Sequence, residues 1–341
     1  MSRTTKVVRT AAVATTIGLA FWGVVHFVSE VAGAHDPAPE PVAAEHDAKP
    51  SGAVGYERLR GPDRTVVRDA AGAVVMTLTD GARTVTVTGP QRTFTEPAFT
   101  AAAVVTTTWV RLLPTAWRAG AETEPWFTPW FTKARDTSEP DMFAIAMGYI
   151  EGARARRDAK GVRFQGDAAF GPVASSGAGR LERSDFIDYL GTPWTFGDGV
   201  KRKPDPARYG AVDCSGFVRL VYGYRMGYPL LSGNTSGPGL PRRAYAMAKY
   251  SPGTLLVADT KSTATAHSRL QPGDLVFFEA EDSDAQLDHV GIYLGIDTNR
   301  QHRFISSRER ANGPTLGDFG GTSLLDDNGH YSRAWRAARR I

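Results

Sequence analysis

The sequence predicts an α+β protein, and three observations carry the prediction. A helix begins at Asp213-Cys214, where Asp213 is a good N-cap and Phe217, Leu220 and Val221 recur at helical spacing. A buried strand is expected over 288–295, Asp288-His289-Val290-Gly291-Ile292-Tyr293-Leu294-Gly295. Apolar runs at 65–68 and 73–78, divided by Asp69-Ala70-Ala71-Gly72, read as a hairpin. The hydrophobic fraction of 42% is ample for two cores.

The elements follow in chain order. Arg3, Lys6 and Arg9 precede a mainly apolar run from Ala11 to Val28, and Ala32-Gly33-Ala34 fits a small-residue cleavage site. Residues 1–34 therefore read as an export signal, either cleaved or retained as a membrane anchor. Both alternatives place the rest of the chain outside the cytoplasm, secreted or anchored. No cysteine follows the leader for lipidation. Residues 35–55 are rich in Ala, Pro, Glu, Asp and His and read as a disordered linker.

Residues 56–175 are expected to form a mixed α/β domain of unknown type. After the hairpin, Asp80-Gly81 signals a turn and 83–88 alternates as a strand. A helix is expected from about Pro140 to Arg157, capped by Ser138 or Asp141. Pro125-Trp126-Phe127-Thr128-Pro129-Trp130-Phe131 is dense in aromatics and suits a core better than a sugar-stacking platform. No solenoid-type repeat is present. Residues 176–341 form the second expected domain.

Cys214 is the one cysteine of the chain, so it has no internal disulfide partner. At a helix N-terminus the partial positive charge favours thiolate over thiol. A nucleophilic thiol needs a base, and imidazole is the usual one. Among seven histidines, His289 alone opens a buried strand. There His289, Gly291 and Tyr293 share one face, and Val290, Ile292 and Leu294 the other. The apolar face would pack in the core, presenting His289 on the opposite side with Gly291 leaving room beside the ring. The histidines show no close ligand spacing, so neither a metal nor another cofactor is expected.

Four stretches, in order, resemble the NlpC-type cell-wall cysteine peptidases: Tyr189-Leu190-Gly191-Thr192-Pro193-Trp194-Thr195-Phe196-Gly197, Asp213-Cys214-Ser215-Gly216-Phe217-Val218, Leu270-Gln271-Pro272-Gly273-Asp274-Leu275-Val276-Phe277-Phe278 and Asp288-His289-Val290-Gly291-Ile292-Tyr293-Leu294-Gly295. The resemblance runs from near Leu181 to the C-terminus. It implies a papain-like core, in which a helix bearing the nucleophile packs on an antiparallel sheet bearing the base. Carried over, Cys214 is the nucleophile and His289 the base. The third polar position, after Phe304-Ile305, is Ser306, where the family usually has His, Asn or Gln. His302 on the same strand face is the alternative. Trp194 stands where a tyrosine is common. Gly197-Asp198-Gly199 followed by Lys201-Arg202-Lys203-Pro204-Asp205-Pro206 enlarges a loop that is usually short; it either shapes the cleft or is a neutral insertion.

The resemblance implies an exported peptidoglycan hydrolase acting on the wall stem peptide, at the bond between D-glutamate's γ-carboxyl and the third-position diamino acid. An amidase or acyltransferase of the same fold, and an inactive wall-binding or regulatory protein, are the alternatives. Asp213 is expected to be a cap, Ser215 and Asp274 structural. The region 56–175 is open to wall binding, control of access to Cys214, or stabilisation. The net charge of +4 discriminates little. The basic run from Arg333 to Arg340 lacks interleaved aromatics, and no nucleic-acid partner is expected.

Overall fold

Alternation of β-branched and polar residues builds a five-stranded antiparallel meander at the start of the computed structural model, which describes residues 54–280 and 286–341. Its strands are β1 (Gly55–Leu59), β2 (Arg64–Arg68), β3 (Val74–Thr79), β4 (Thr84–Thr95) and β5 (Ala103–Leu112), each paired with the next in sequence. The expected hairpin is β2–β3, and the strand after Asp80-Gly81 is β4. The leader and nearly all of the expected linker lie outside the described residues. Among the described residues no helix is long and apolar enough to cross a membrane.

The aromatic-dense stretch enters α1 (Phe127–Asp136). Phe127 and Phe131 join Trp117 in a core against the meander, with Trp126 and Trp130 partly buried beside it. That is the core role expected of them. Their indoles are also satisfied, Trp130 Nε1 donating to the Leu112 carbonyl at 3.2 Å.

The helix expected over 140–157 is much shorter: α2 covers only Met142–Met147. Asp141 is its cap, accepting from the Ala144 N–H at 3.2 Å. The chain turns at Gly148 and Gly152 and makes a small ribbon of β6 (Arg156–Arg157) with β7 (Arg163–Gln165). Asp141 does more than cap. Wholly buried, it takes both guanidinium nitrogens of Arg92, at 2.8 and 2.9 Å, and the Val110 N–H at 2.9 Å. It thus ties α2 to β4 and β5.

The second half continues with α3 (Phe186–Leu190), a ribbon of β8 (Trp194–Thr195) with β9 (Lys201–Arg202), α4 (Cys214–Val218) and α5 (Ala244–Tyr250). A π-helical stretch, Arg219–Arg225, prolongs α4. A six-stranded antiparallel sheet follows in the order β10 (Thr254–Val257), β15 (Trp335–Arg340), β11 (Leu275–Phe278), β12 (His289–Ile296), β13 (His302–Arg308) and β14 (Gly313–Thr315), with α6 (His330–Ala334) leading into β15. Apolar side chains of α4, including Phe217 and Val218, share one core with Val290, Ile292 and Ile305 of β12 and β13. The mixed helix and antiparallel-sheet content is the α+β class expected.

The meander and the second sheet belong to one compact unit. Phe94, Val104 and Val110 of the meander enter the core that contains α4. Arg340 of β15, fully buried, pairs with Asp274 at 2.7 and 2.8 Å and also donates to Thr79 Oγ1 of β3 at 2.6 Å. Asp274 is structural, as read from its Pro-Gly-Asp turn.

Candidate active site

Cys214 is the first residue of α4, and its placement starts with Asp213. Asp213 has an extended backbone, and its carboxylate accepts the Gly216 N–H at 2.7 Å. This is a helix N-cap, satisfying a donor that the first turn cannot pair internally. The same carboxylate takes Arg242 Nη2 at 2.8 Å and the Ser215 hydroxyl at 3.1 Å, and Arg242 Nη1 donates to Ser215 Oγ at 2.7 Å. Burial alone would raise the Asp213 carboxyl; the Arg242 ion pair outweighs it and holds the group below the ordinary carboxylate range. Asp213 and Ser215 are therefore structural, as expected. Gly216 lets the helix touch the preceding chain, since a Cβ there would lie 2.3 Å from the Ser184 carbonyl oxygen.

The Cys214 thiol lies 3.7 Å from the carbonyl oxygen of Asp288, to which it donates. Asp288 immediately precedes His289, so the two elements meet where the thiol and the imidazole strand begin. His289 is completely buried, while Cys214 keeps 8% of its surface exposed. Its Nε2 lies 3.0 Å from Ser306 Oγ on β13. Burial, reinforced by the Arg308 guanidinium, pushes the imidazole down to about 4.

Residues 191–313, which include Cys214, His289 and Ser306, match the model of the NlpC/P60 family. The C-terminal region is an NlpC/P60 domain. Two solved structures are similar to the chain. One is a Staphylococcus aureus Mu50 protein described as similar to lipoprotein, of the NLP/P60 family, with 22% identity, 46% of this chain and 38% of that one covered, and a TM-score of 0.25. The chain thus spans well under half of that protein's length. The other is an NlpC/P60 family protein of Bacillus cereus ATCC 10987, with 13% identity, 84% and 78% covered, and a TM-score of 0.26. No curated protein matches the chain significantly.

Within the NlpC/P60 domain, Ser306 and His302 are separated by strand register. β12 and β13 run antiparallel with Ile296 opposite His302 and Ile292 opposite Ile305. His302 therefore sits at the far end of β12 from His289. Its Nδ1 engages the Tyr293 hydroxyl at 2.6 Å, and its ring stacks on His267 with centroids 4.6 Å apart. Of the two, Ser306 is the one that reaches His289.

The face of β12 that carries His289, opposite the apolar one as expected, is itself covered. Phe278, Phe304 and Tyr331 cover it in a third core. The Tyr331 ring lies 5.1 Å from the imidazole and the Phe278 ring 5.8 Å. The room left by Gly291 is filled by Phe304, whose Cδ2 would be 2.6 Å from a Cβ at that position. Trp194 likewise packs inward, edge-on to Phe186 and Tyr224 at 5.3 and 5.9 Å.

Three residues of the site carry no local sequence signal. Arg242 holds the α4 cap and lies close enough to Cys214 to feel its charge. Arg308 donates from Nε to Ser306 Oγ at 3.2 Å and lies 4.8 Å over the Tyr331 ring. Tyr331 comes from α6, far along the chain. None belongs to a spacing pattern around Cys214 or His289, so only long-range packing reveals them.

A cleft of about 740 Å³ borders the α4 cap. Arg183, Arg202, Lys203, Arg242 and Arg243 line it, along with Asp185 and Asp188. The enlarged loop after Phe196 therefore forms part of the cleft wall. Among the described residues, no group of three or more His, Cys, Asp or Glu side chains is arranged to hold a metal ion.

Proposed function

We propose that the chain is an exported cysteine peptidase that cleaves an amide bond in the stem peptide of bacterial peptidoglycan, with a papain-like arrangement of Cys214 as nucleophile, His289 as base and Ser306 as the residue orienting the imidazole. The observation that carries this reading is the convergence of the α4 N-terminus on the start of β12, with the thiol against the residue before His289 and the imidazole tied to Ser306. The family match supports the substrate class. By the same resemblance, the bond is that between the γ-carboxyl of D-glutamate and the diamino acid.

The chemistry follows from the groups present. A buried imidazole pushed down to about 4 is neutral at pH 7 and can accept a proton. It takes the thiol proton as sulfur attacks the amide carbonyl carbon, forming a C–S bond and an oxyanion. The Cys214 backbone N–H, at the helix start, donates to that oxygen in this reading. Collapse breaks the C–N bond, and the imidazolium gives its proton to the leaving amine. A water, deprotonated by His289, then releases the acyl group and restores the thiol.

The test is mass spectrometry of purified peptidoglycan fragments incubated with the full chain or with Cys214→Ala. New peptide fragments from wild type alone would establish the reading, and their masses would identify the bond. Fragments from both proteins, or from neither, would overturn it.

A further inference from the structure

We propose that the cleft beside the α4 cap is the binding site for the carboxylates of an acidic peptide substrate, and that Arg202 and Lys203 of the β8–β9 loop set that specificity. The proposal rests on the peptidase reading above and names the part of the molecule that selects the substrate.

The first argument is charge that the described residues leave uncompensated. The acidic groups in the cleft wall are already engaged. Asp185 pairs with Arg219 at 3.0 Å and with Arg242 at 3.4 Å. Asp188 accepts the N–H groups of Asp185 and Asp205, both at 2.7 Å. Asp205 pairs with Arg208 at 3.3 Å. Arg243 is matched by Glu182 at 2.9 Å. The side chains of Arg183, Arg202 and Lys203 have no acidic partner among the described residues. Among the described residues three cations of the cleft wall thus have no anion assigned to them, and an anionic ligand would find donors there.

The second argument is that the loop is held in place. β8 and β9 pair Trp194 with Arg202 and Thr195 with Lys201. Trp194 anchors β8 in the aromatic cluster of Phe186 and Tyr224. At the tip, Asp198 receives the Ser232 hydroxyl at 2.5 Å, linking the tip to a residue of the cleft wall. At the base, the Asp205 N–H is the one bound by Asp188. Both ends of the basic segment are fixed, so Arg202 and Lys203 are held at the cleft rather than displayed on a free surface loop.

The third is Arg183. Its backbone adopts φ 80°, a region costly for a residue with a Cβ. Its N–H is held at 3.0 Å by Asp213, the residue that caps the nucleophile helix. The same carboxylate therefore fixes both Cys214 and the chain that carries a cleft cation. A peptide bound by its carboxylates in the cleft would lie against the start of α4.

The experiment measures cleavage by the full chain of the tripeptide L-Ala-γ-D-Glu-diaminopimelate and of the same peptide with its free side carboxylates amidated. The variant is Arg202→Glu/Lys203→Glu, with Arg202→Lys as the conservative control; both positions are exposed, and an unchanged melting temperature confirms folding. The expected result is a KM for the acidic peptide raised about tenfold, equivalent to about 1.4 kcal/mol, with kcat within about twofold. The Arg202→Lys control keeps the wild-type KM, and the amidated peptide binds weakly to both proteins. The wild-type advantage also shrinks as salt rises, because screening acts over about 10 Å at 0.1 M. An unchanged KM for the acidic peptide, or an equal loss for both peptides, overturns the proposal. If no protein cleaves either peptide, anisotropy of the fluorescein-labelled acidic tripeptide on Cys214→Ala, with and without the charge reversal, decides the cleft separately. Binding lost on reversal upholds the cleft while the peptidase reading falls; binding absent or indifferent to reversal overturns it.

Discussion

Ser306 Oγ and His289 Nε2 lie 3.0 Å apart, and both side chains are completely buried. Arg308 also donates to that oxygen, and a guanidinium can only donate. The hydroxyl keeps its own proton and a second lone pair for His289, so it can serve either tautomer. Removing it takes this contact away from the buried imidazole. Ser306→Ala is expected to lower kcat about 10- to 100-fold with KM nearly unchanged, whereas His302→Ala stays within about twofold. Steady-state kinetics of the two variants check this, and equal losses would contradict the assignment.

Acid should destabilise the protein through His289. Its folded value of about 4 lies below the ordinary 6.5. Between these values the unfolded chain binds the proton and the folded one does not, so folding stability falls as pH drops through that window. The contribution of this one group is on the order of 3 kcal/mol, fully lost below pH 4. Urea unfolding of wild type and His289→Phe at pH 7 and pH 5 measures it. The variant should lose less stability over that interval.

Gly291→Ala should destabilise by about 1–3 kcal/mol. The new methyl would lie 2.6 Å from Phe304 Cδ2 and 3.0 Å from the Ile305 carbonyl oxygen. Phe304 packs on Phe278 at 4.9 Å and on Tyr331 at 5.5 Å, so it cannot withdraw without opening the cover of His289. A lowered midpoint in chemical denaturation, together with reduced kcat, is the expected result.

Asp141→Ala should cost about 3–5 kcal/mol, because it strands a buried guanidinium. Arg92 is 7% exposed and both of its terminal nitrogens bond this carboxylate. The loss should extend to α4, since Phe94 and Val110 share its core. Hydrogen exchange would show faster opening in α4 as well as in α2; a change confined to the meander and α2 would contradict this.

Much of the fold is legible in the sequence where interactions are local. The Asp213 cap, the β2–β3 hairpin and the burial of β12 follow from side-chain chemistry within a few residues. The helix expected over 140–157 does not, because its apolar spacing continues past Gly148 while the chain is drawn into the β6–β7 ribbon. The cover over the His289 face is not legible either. Alternation along one strand says which residues share a face, but it cannot say that Tyr331 from α6 arrives to cover it.

The candidate site divides in the same way. The sequence by itself determined the helix that begins at Cys214, the strand that carries His289 and the family, since each rests on contiguous residues whose spacing encodes their element. Only the tertiary structure put Ser306 rather than His302 against His289, brought Arg242 and Arg308 to the site, and turned the basic loop after Phe196 into a cleft wall. Those choices depend on antiparallel register and on pairings between residues far apart in the chain, and a linear pattern carries no record of either.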